Sequence, residues 1–372
     1  MTVAEIIDTF VPSPNPFRWE AFDGSATGPT DAQFTVKINN LQGLAYIATH
    51  PGDVGFARAY VTDGITVEGE HPAHPYGIFD ALHAMYDKFT RPDAKTLARV
   101  ARSLASMGAF QIQPVPEVER ASWLRRKLHE GLSKHSKERD ADVISDHYDV
   151  GNDFYELFLG DSMTYTCAYY PSPDATLDEA QENKYRLIFD KLRLKEGDRH
   201  LDVGCGWGGM VRYAAKRGVK SLGVTLSKEQ AEWGQAKIKE EGLEDLAEIR
   251  FLDYRDVTEE GFDAISAIGL LEHIGVKNYP DFFSFLNGKL KPGGLMLNHC
   301  ITYPDNHKTP KGGFIDRYIF PDGELSGSGT ITKCMQDAGF EVVHTESLRF
   351  DYMRTLHDWC ENLQETWEEA CS

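Results

Sequence analysis

An α/β fold is predicted for most of this chain, with a mostly parallel sheet covered by helices on both faces, preceded by a smaller α+β region. Two observations carry the prediction. From Leu177 onward, apolar strand-like runs alternate with helical patterns, as expected of βαβ units. Within this region, residues 198–209 read Asp-Arg-His-Leu-Asp-Val-Gly-Cys-Gly-Trp-Gly-Gly, an apolar strand, three close glycines (Gly204, Gly206, Gly209) and a helix start. Glycines there let the backbone turn sharply and let a ligand approach it, and the helix start offers free N–H donors. That is a Rossmann-like cofactor loop, although a lone G-x-G-x-x-G also occurs as a packing turn.

The strands are expected near His200–Val203, Ser221–Thr225, Glu248–Leu252, Phe262–Ile268 and Gly294–Ile301. Helices are expected near Leu177–Leu192, Gly209–Arg217, Lys228–Glu241, Tyr279–Leu290, Gly327–Ala338 and Tyr352–Ala370. In such a sheet ligands bind beyond the carboxyl ends of the strands. Those ends hold Gly204, Thr225, Asp253, residues 269–272 and residues 299–301. Phe340–Phe350 is expected to add an antiparallel edge hairpin. Ahead of the sheet, residues 1–30 are broken by Pro12, Pro14, Pro16, Gly24 and Gly28 and read as partly loose. Phe34–Ile38 alternates as a strand, short strands are expected within Ala57–Val67, and helices around Gly77–Phe89 and Ala94–Met107. This divides the chain into a scaffolding or lipid-binding domain (1–118), a basic linker (119–143) and a catalytic domain (144–372).

Composition narrows the function. A net charge of −19 argues against non-specific nucleic-acid binding. The six cysteines lack C-x-x-C spacing, so neither a disulfide framework nor a zinc or other metal site is expected. No signal peptide and no membrane-spanning run is evident, and a cytoplasmic protein is expected. Residues 120–139 depart from the acidic background: Arg120, Arg125, Arg126, Lys127, Lys134, Lys137 and Arg139 accompany Trp123, Leu124, Leu128 and Leu132 at helical spacing. Such a stretch suits anionic headgroups at a membrane surface; a solvated linker helix has the same pattern.

The glycine loop discriminates between cofactors. A dinucleotide site wants an acid at the end of the second strand, but that strand ends Val-Thr-Leu-Ser. Asp202, two residues before the first glycine, suits a cationic ligand instead. S-adenosylmethionine (SAM) carries an ammonium and a sulfonium, so a carboxylate beneath the loop fits it; a carboxylate that merely bonds loop N–H groups is the alternative.

Four stretches, His147-Tyr-Asp-Val-Gly-Asn-Asp-Phe-Tyr, Met163-Thr-Tyr-Thr-Cys-Ala-Tyr-Tyr, Leu201-Asp-Val-Gly-Cys-Gly-Trp-Gly-Gly and Leu271-Glu-His-Ile-Gly, go further. With Val224-Thr-Leu-Ser-Lys-Glu-Gln and Tyr318-Ile-Phe-Pro-Asp-Gly-Glu-Leu, they resemble the cyclopropane fatty acid synthase and mycolic acid cyclopropane synthase family. The resemblance covers roughly residues 140–365, and residues 30–110 resemble the N-terminal domain of its phospholipid-acting members. It implies a SAM-dependent methyltransferase that converts the cis double bond of an unsaturated phospholipid acyl chain into a cyclopropane, with bound bicarbonate as base. The resemblance carries the bicarbonate site onto Cys167, Glu272, His299, Ile301 (through its backbone) and Tyr352. It carries cofactor contacts onto Tyr165, Thr166, Gly204, Gly206, Thr225, Leu226, Gln230, Asp253 and Tyr254.

Tyr165, Tyr169, Tyr170, Phe314, Tyr318 and Phe320 are the aromatic faces available to a cationic intermediate. His273, Cys205 and Trp207 read as packing residues. Thr166 stands where the family commonly has serine. Relatives usually continue past the position of Ser372 into helix that helps cover the acyl pocket and in some supports a homodimer. The same motifs fit an enzyme that stops at a methylene-branched chain. A small-molecule methyltransferase would leave the N-terminal region and the basic stretch without a role. Peripheral association with the inner membrane surface is expected.

Overall fold

The computed structural model describes residues 1–11, 15–86, 92–119, 151–306, 312–320 and 323–372. The basic stretch at 120–139, the expected linker apart from Glu119, and the start of the His147 motif lie outside the described residues. The chain divides into two compact units, Met1–Leu128 with Gly312–Ile319, and His129–Lys311 with Phe320–Ser372. The short segment Gly312–Ile319, which carries Phe314 and Tyr318, therefore counts with the first unit.

The first unit opens with α1 (Val3–Phe10), started by a Thr2–Glu5 capping box, so its first residues are ordered where a loose terminus was expected. Next come β1 (Phe17–Ala21), β2 (Ala26–Thr27), β3 (Phe34–Ile38), α2 (Leu41–Thr49), α3 (Asp53–Val61), β4 (Ile65–Glu68), α4 (Tyr76–Tyr86) and α5 (Ala94–Met107). The sheet order is β2-β1-β3-β4, with β1 and β3 parallel and the outer pairs antiparallel. Phe34, Val36 and Ile38 point into its core, as their period of two requires. Arg58-Ala-Tyr-Val, expected as strand, is helical in α3. Gly55 and Ala59 are buried one turn apart on that helix, and Arg58 turns inward beside Ala59 to meet Glu119, a partner 61 residues away that no local pattern reveals.

The second unit holds α6 (Asn152–Leu159), α7 (Leu177–Lys191), β5 (Arg199–Val203), α8 (Gly209–Ala215), β6 (Lys220–Thr225), α9 (Lys228–Glu240), β7 (Ala247–Phe251), β8 (Phe262–Ile268), α10 (Leu271–Ile274), α11 (Tyr279–Lys289), β9 (Leu290–His299), α12 (Ser328–Asp337), α13 (Arg349–Glu365) and α14 (Trp367–Ala370). The sheet is wholly parallel in the order β7-β6-β5-β8-β9. Leu201, Val203, Val224, Ile265 and Ala267 on its central strands are almost completely buried, as a sheet covered on both faces demands. The chain leaves β5 toward β6 on one side and returns to β8 on the other, so the crevice between the ends of β5 and β8 is the topological switch point. The expected edge hairpin is absent: residues 341–348 are irregular and mostly exposed, and α13 begins at Arg349.

Candidate active site

The loop after β5 turns on Gly204 (φ 71°) and Gly206 (φ 55°), a left-handed backbone that only glycine adopts without strain. A Cβ at Gly206 would meet nothing within 4 Å, so the backbone there borders open space. Around it lies a cavity lined by Tyr165, Thr166, Asp202, Gly204, Gly206, Thr225, Leu226, Gln230 and Tyr254. These are nine of the ten cofactor residues expected from sequence. The tenth, Asp253, is buried at the end of β7, but its carboxylate takes both the backbone N–H and the guanidinium of Arg255 and does not line the cavity. Thr225 donates its hydroxyl to Gln230 Oε1 at 3.0 Å, and the Ser227 N-cap of α9 fixes Gln230 in turn. His273, Cys205 and Trp207, read from sequence as packing residues, also line the cavity.

Asp202 is buried beneath the loop, and desolvation raises its pKa to about 7. It accepts a hydrogen bond from Ser266 on β8. Ser266 meets His200 Nε2 at 2.9 Å, and His200 Nδ1 meets Ser221 on β6 at 2.8 Å. Burial keeps His200 neutral, with a pKa near 3. An ionised Asp202 can only accept, so Ser266 donates to it and must accept from Nε2–H; Nδ1 then accepts from Ser221. A directed chain of hydrogen bonds thus crosses three strands and ends on the carboxylate facing the loop. A cationic ligand there would favour the ionised form. The buried acid, the glycine turn and the open backbone together fit SAM.

Tyr165 sits in an aromatic cluster with Tyr155 (ring centroids 5.5 Å), Phe158 (6.2 Å) and Trp359 (5.2 Å). Tyr170, by contrast, has its hydroxyl on Asp358 and the Arg354 guanidinium 4.0 Å over its ring, so that face is already taken by a cation. In the first unit, Phe314 and Tyr318 stack on each other, and the Tyr318 hydroxyl donates to Glu119.

The expected base site begins one turn past β8. Glu272, on α10, accepts the Ile301 N–H through Oε1 at 2.7 Å, while its Oε2 is buried without a hydrogen-bond partner among the described residues. Burial raises its pKa to about 7. His299 ends β9 two residues before Ile301; its Nδ1 is likewise buried and unpartnered, and desolvation lowers its pKa to about 4. An orphaned acceptor oxygen and an orphaned ring nitrogen fit a small group carrying both a proton and acceptor oxygens, which bicarbonate is. Cys167 is 3 % exposed, its thiol pushed up to about 12 by burial, and its Sγ lies 3.6 Å from the Leu348 carbonyl. Burial therefore favours the protonated thiol near neutral pH. Leu348 is the N-cap of α13, which carries Tyr352 one turn on.

Sequence reasoning missed Lys184, Trp359, His200 and Ser266. Lys184 left a signal: it lies on the stripe Ala180, Lys184, Ile188 that α7 buries, where a lysine has no ordinary reason to be.

Fold and cavity define a SAM-dependent methyltransferase. The comparisons agree: the mycolic acid cyclopropane synthetase family model matches residues 135–372, and the chain belongs to that family. It is 54% identical over 372 residues to the probable fatty acid methyltransferase Rv3720 of Mycobacterium tuberculosis, covering 100% of this chain and 86% of that protein. To the cyclopropane-fatty-acyl-phospholipid synthase of Escherichia coli K12 it is 38% identical over 237 residues, covering 63% of this chain and 59% of that one. Among solved structures, the mycolic acid cyclopropane synthase CmaA1 complexed with SAH and CTAB aligns with a TM-score of 0.56 at 35% identity, over 62% of this chain and 85% of that one.

Proposed function

We propose that this enzyme transfers the SAM methyl group to the cis double bond of an unsaturated acyl chain in a phospholipid and completes a cyclopropane by removing a proton. The observation that carries this reading is two buried atoms without a partner among the described residues, Oε2 of Glu272, whose Oε1 holds the Ile301 N–H, and Nδ1 of His299, two residues before Ile301. An alkene needs no deprotonation to act as nucleophile; the chemistry needs placement of the methyl, exclusion of water and a base for the later proton. When bound, SAM supplies an electrophilic methyl. The cavity residues orient it, and the Tyr165 cluster offers apolar and π surface nearby. Cys167, Glu272, His299, the Ile301 backbone and Tyr352 would hold bicarbonate, which supplies a base. A neutral His299 and a Glu272 that titrates near neutrality suit an ion that both donates and accepts.

A second ending has its own support. Two relatives that align over nearly the whole chain, from M. tuberculosis and Pseudomonas putida, are named probable fatty acid methyltransferases. The same transfer followed by a 1,2-hydride shift onto the cationic carbon and loss of a proton from the transferred methyl would give a methylene-branched acyl chain. The domain boundaries expected from sequence (1–118, 119–143 and 144–372) fit this division of labour, with the first region engaging lipid and the basic linker meeting the inner membrane surface peripherally. Among the described residues no helix is long and apolar enough to cross a membrane.

The test is incubation with labelled SAM and vesicles of a cis-monounsaturated phospholipid, followed by mass spectrometry of the fatty acids. Gain of one CH₂ is expected, and fragmentation separates ring from branch. Label that appears only on a soluble acceptor would refute the lipid assignment.

A further inference from the structure

Lys184 is only 2 % exposed, yet it lines the cofactor cavity together with Thr166 and Asp202. Its ammonium donates to Thr166 Oγ1 at 2.7 Å and lies 5.1 Å from the Tyr185 ring centroid. It makes no ion pair among the described residues, although Asp202 and Cys167 are near enough to influence it and it influences His299. An ammonium has three protons to donate, and one is used. Burying such a group without a counter-ion disfavours its charged form, and Lys184 responds by losing proton affinity until its pKa is about 7. The surrounding structure is built to hold this arrangement. On the same helix, Gln181 Nε2 donates to the Thr166 carbonyl at 2.9 Å and Asn183 to that of Tyr169 at 2.8 Å, so the irregular segment 166–169 is pinned against α7.

We propose that Lys184 is a positioning residue that holds a small oxyanion group of the reaction through Thr166. With one Thr166 lone pair occupied by the ammonium, the hydroxyl proton turns away from Lys184 and is free to donate to a carboxylate-type oxygen. The two unused ammonium protons complete the subsite. The source that the cavity favours is the α-carboxylate of SAM. Asp202 and Lys184 are buried charges of opposite sign in one cavity, matching the ammonium and carboxylate of an α-amino acid. Bicarbonate has the same oxyanion chemistry and is the other source, which rests on the base site proposed above.

The experiment compares wild type with Lys184→Met and Thr166→Val. Calorimetry measures affinity for S-adenosylhomocysteine and for 5′-methylthioadenosine, which keeps the nucleoside thioether but lacks the amino-acid end. Lys184→Met should lose at least tenfold in affinity for the first and be unchanged for the second. Its urea midpoint without ligand should hold or rise, because a buried lysine is replaced by an apolar side chain of similar length. Unchanged affinities with a tenfold rise in the bicarbonate concentration for half-maximal turnover would support the subsite with bicarbonate as its anion. Unchanged affinities and bicarbonate response, with a lower urea midpoint, would overturn the proposal and leave Lys184 a structural residue. Should Lys184→Met fail to fold, Thr166→Val must show the same selective loss, or the proposal falls. Neither binding arm involves lipid, so failure of the acyl-chain assignment leaves the result readable.

Discussion

Replacing Glu272 with glutamine separates the charge of this side chain from its shape. The amide carbonyl can keep the Ile301 N–H bond that Oε1 now accepts at 2.7 Å. The NH₂ takes the place of the buried, unpartnered Oε2 and costs roughly 1–3 kcal/mol at any pH. Charge behaves differently. Burial raises the Glu272 pKa from 4.5 to about 7, so between those values the folded protein binds more protons than the unfolded chain. Stability contributed by the protonated form is therefore complete below pH 4.5 and is lost as pH rises through 7. Integrated from pH 5 to pH 8, the loss is about 2–3 kcal/mol for wild type and zero for glutamine. Measured by urea unfolding without ligand, Glu272→Gln should thus gain about 2–3 kcal/mol relative to wild type between pH 5 and pH 8, the constant amide cost cancelling. Turnover should fall by ~100-fold or more with S-adenosylhomocysteine affinity nearly unchanged. A variant that keeps the wild-type rate would remove Glu272 from the chemistry, and one whose stability tracks wild type across this range would show that the carboxyl is not buried as described.

Ser266→Ala removes the hydroxyl that Asp202 accepts from, which further raises the Asp202 pKa and keeps it protonated at pH 7. S-adenosylhomocysteine affinity should drop about tenfold relative to wild type at pH 7 and recover relative to wild type by pH 9, as calorimetry at both values would show. In the first unit, Glu119 holds Arg58 at 2.6 and 2.7 Å and also binds Arg317 and Tyr318. Glu119→Gln leaves two guanidinium groups facing each other and should destabilise that unit by about 3–5 kcal/mol, seen as faster hydrogen exchange along α3. Because the pair holds the Glu119 pKa down to about 2, wild-type protection factors along α3, corrected for the intrinsic pH dependence of amide exchange, should fall only as pH drops from about 4.5 toward 2.

The sheet was legible in the sequence because each strand carries its own signature: the apolar runs around Leu201, Val224 and Ile265 end at glycine, threonine or acid on one edge. Gly204 and Thr225 followed from those strand ends and Asp202 from its place beneath the loop, whereas Tyr165, Thr166, Leu226, Gln230 and Tyr254 came only with the family resemblance. Asp253 stayed outside the cavity because its neighbour Arg255 claims both carboxylate oxygens. What escaped was non-local. Arg58 sits in a helix for the sake of Glu119, and the membership of Gly312–Ile319 in the first unit rests on contacts some two hundred residues apart, such as that between Arg317 and Glu119. Lys184 escaped because a lysine in a charged helix reads as solvated until its neighbours are placed. Phe340–Phe350 was expected to pair as an edge hairpin, but pairing depends on a partner edge, which alternation alone does not supply.

The hydrogen bonds running from Ser221 through His200 and Ser266 to Asp202 behave as a weathervane. Their direction is set by the one member that cannot donate. If Asp202 takes up a proton, that anchor is gone, Ser266 can rotate, and the imidazole no longer has a single preferred tautomer. Arrival of a cation at the glycine loop restores the direction all the way to β6. The ¹⁵N resonances of His200, a residue fully buried within the sheet, should consequently report whether the loop is occupied. A label at that one imidazole would turn the sheet into its own occupancy gauge.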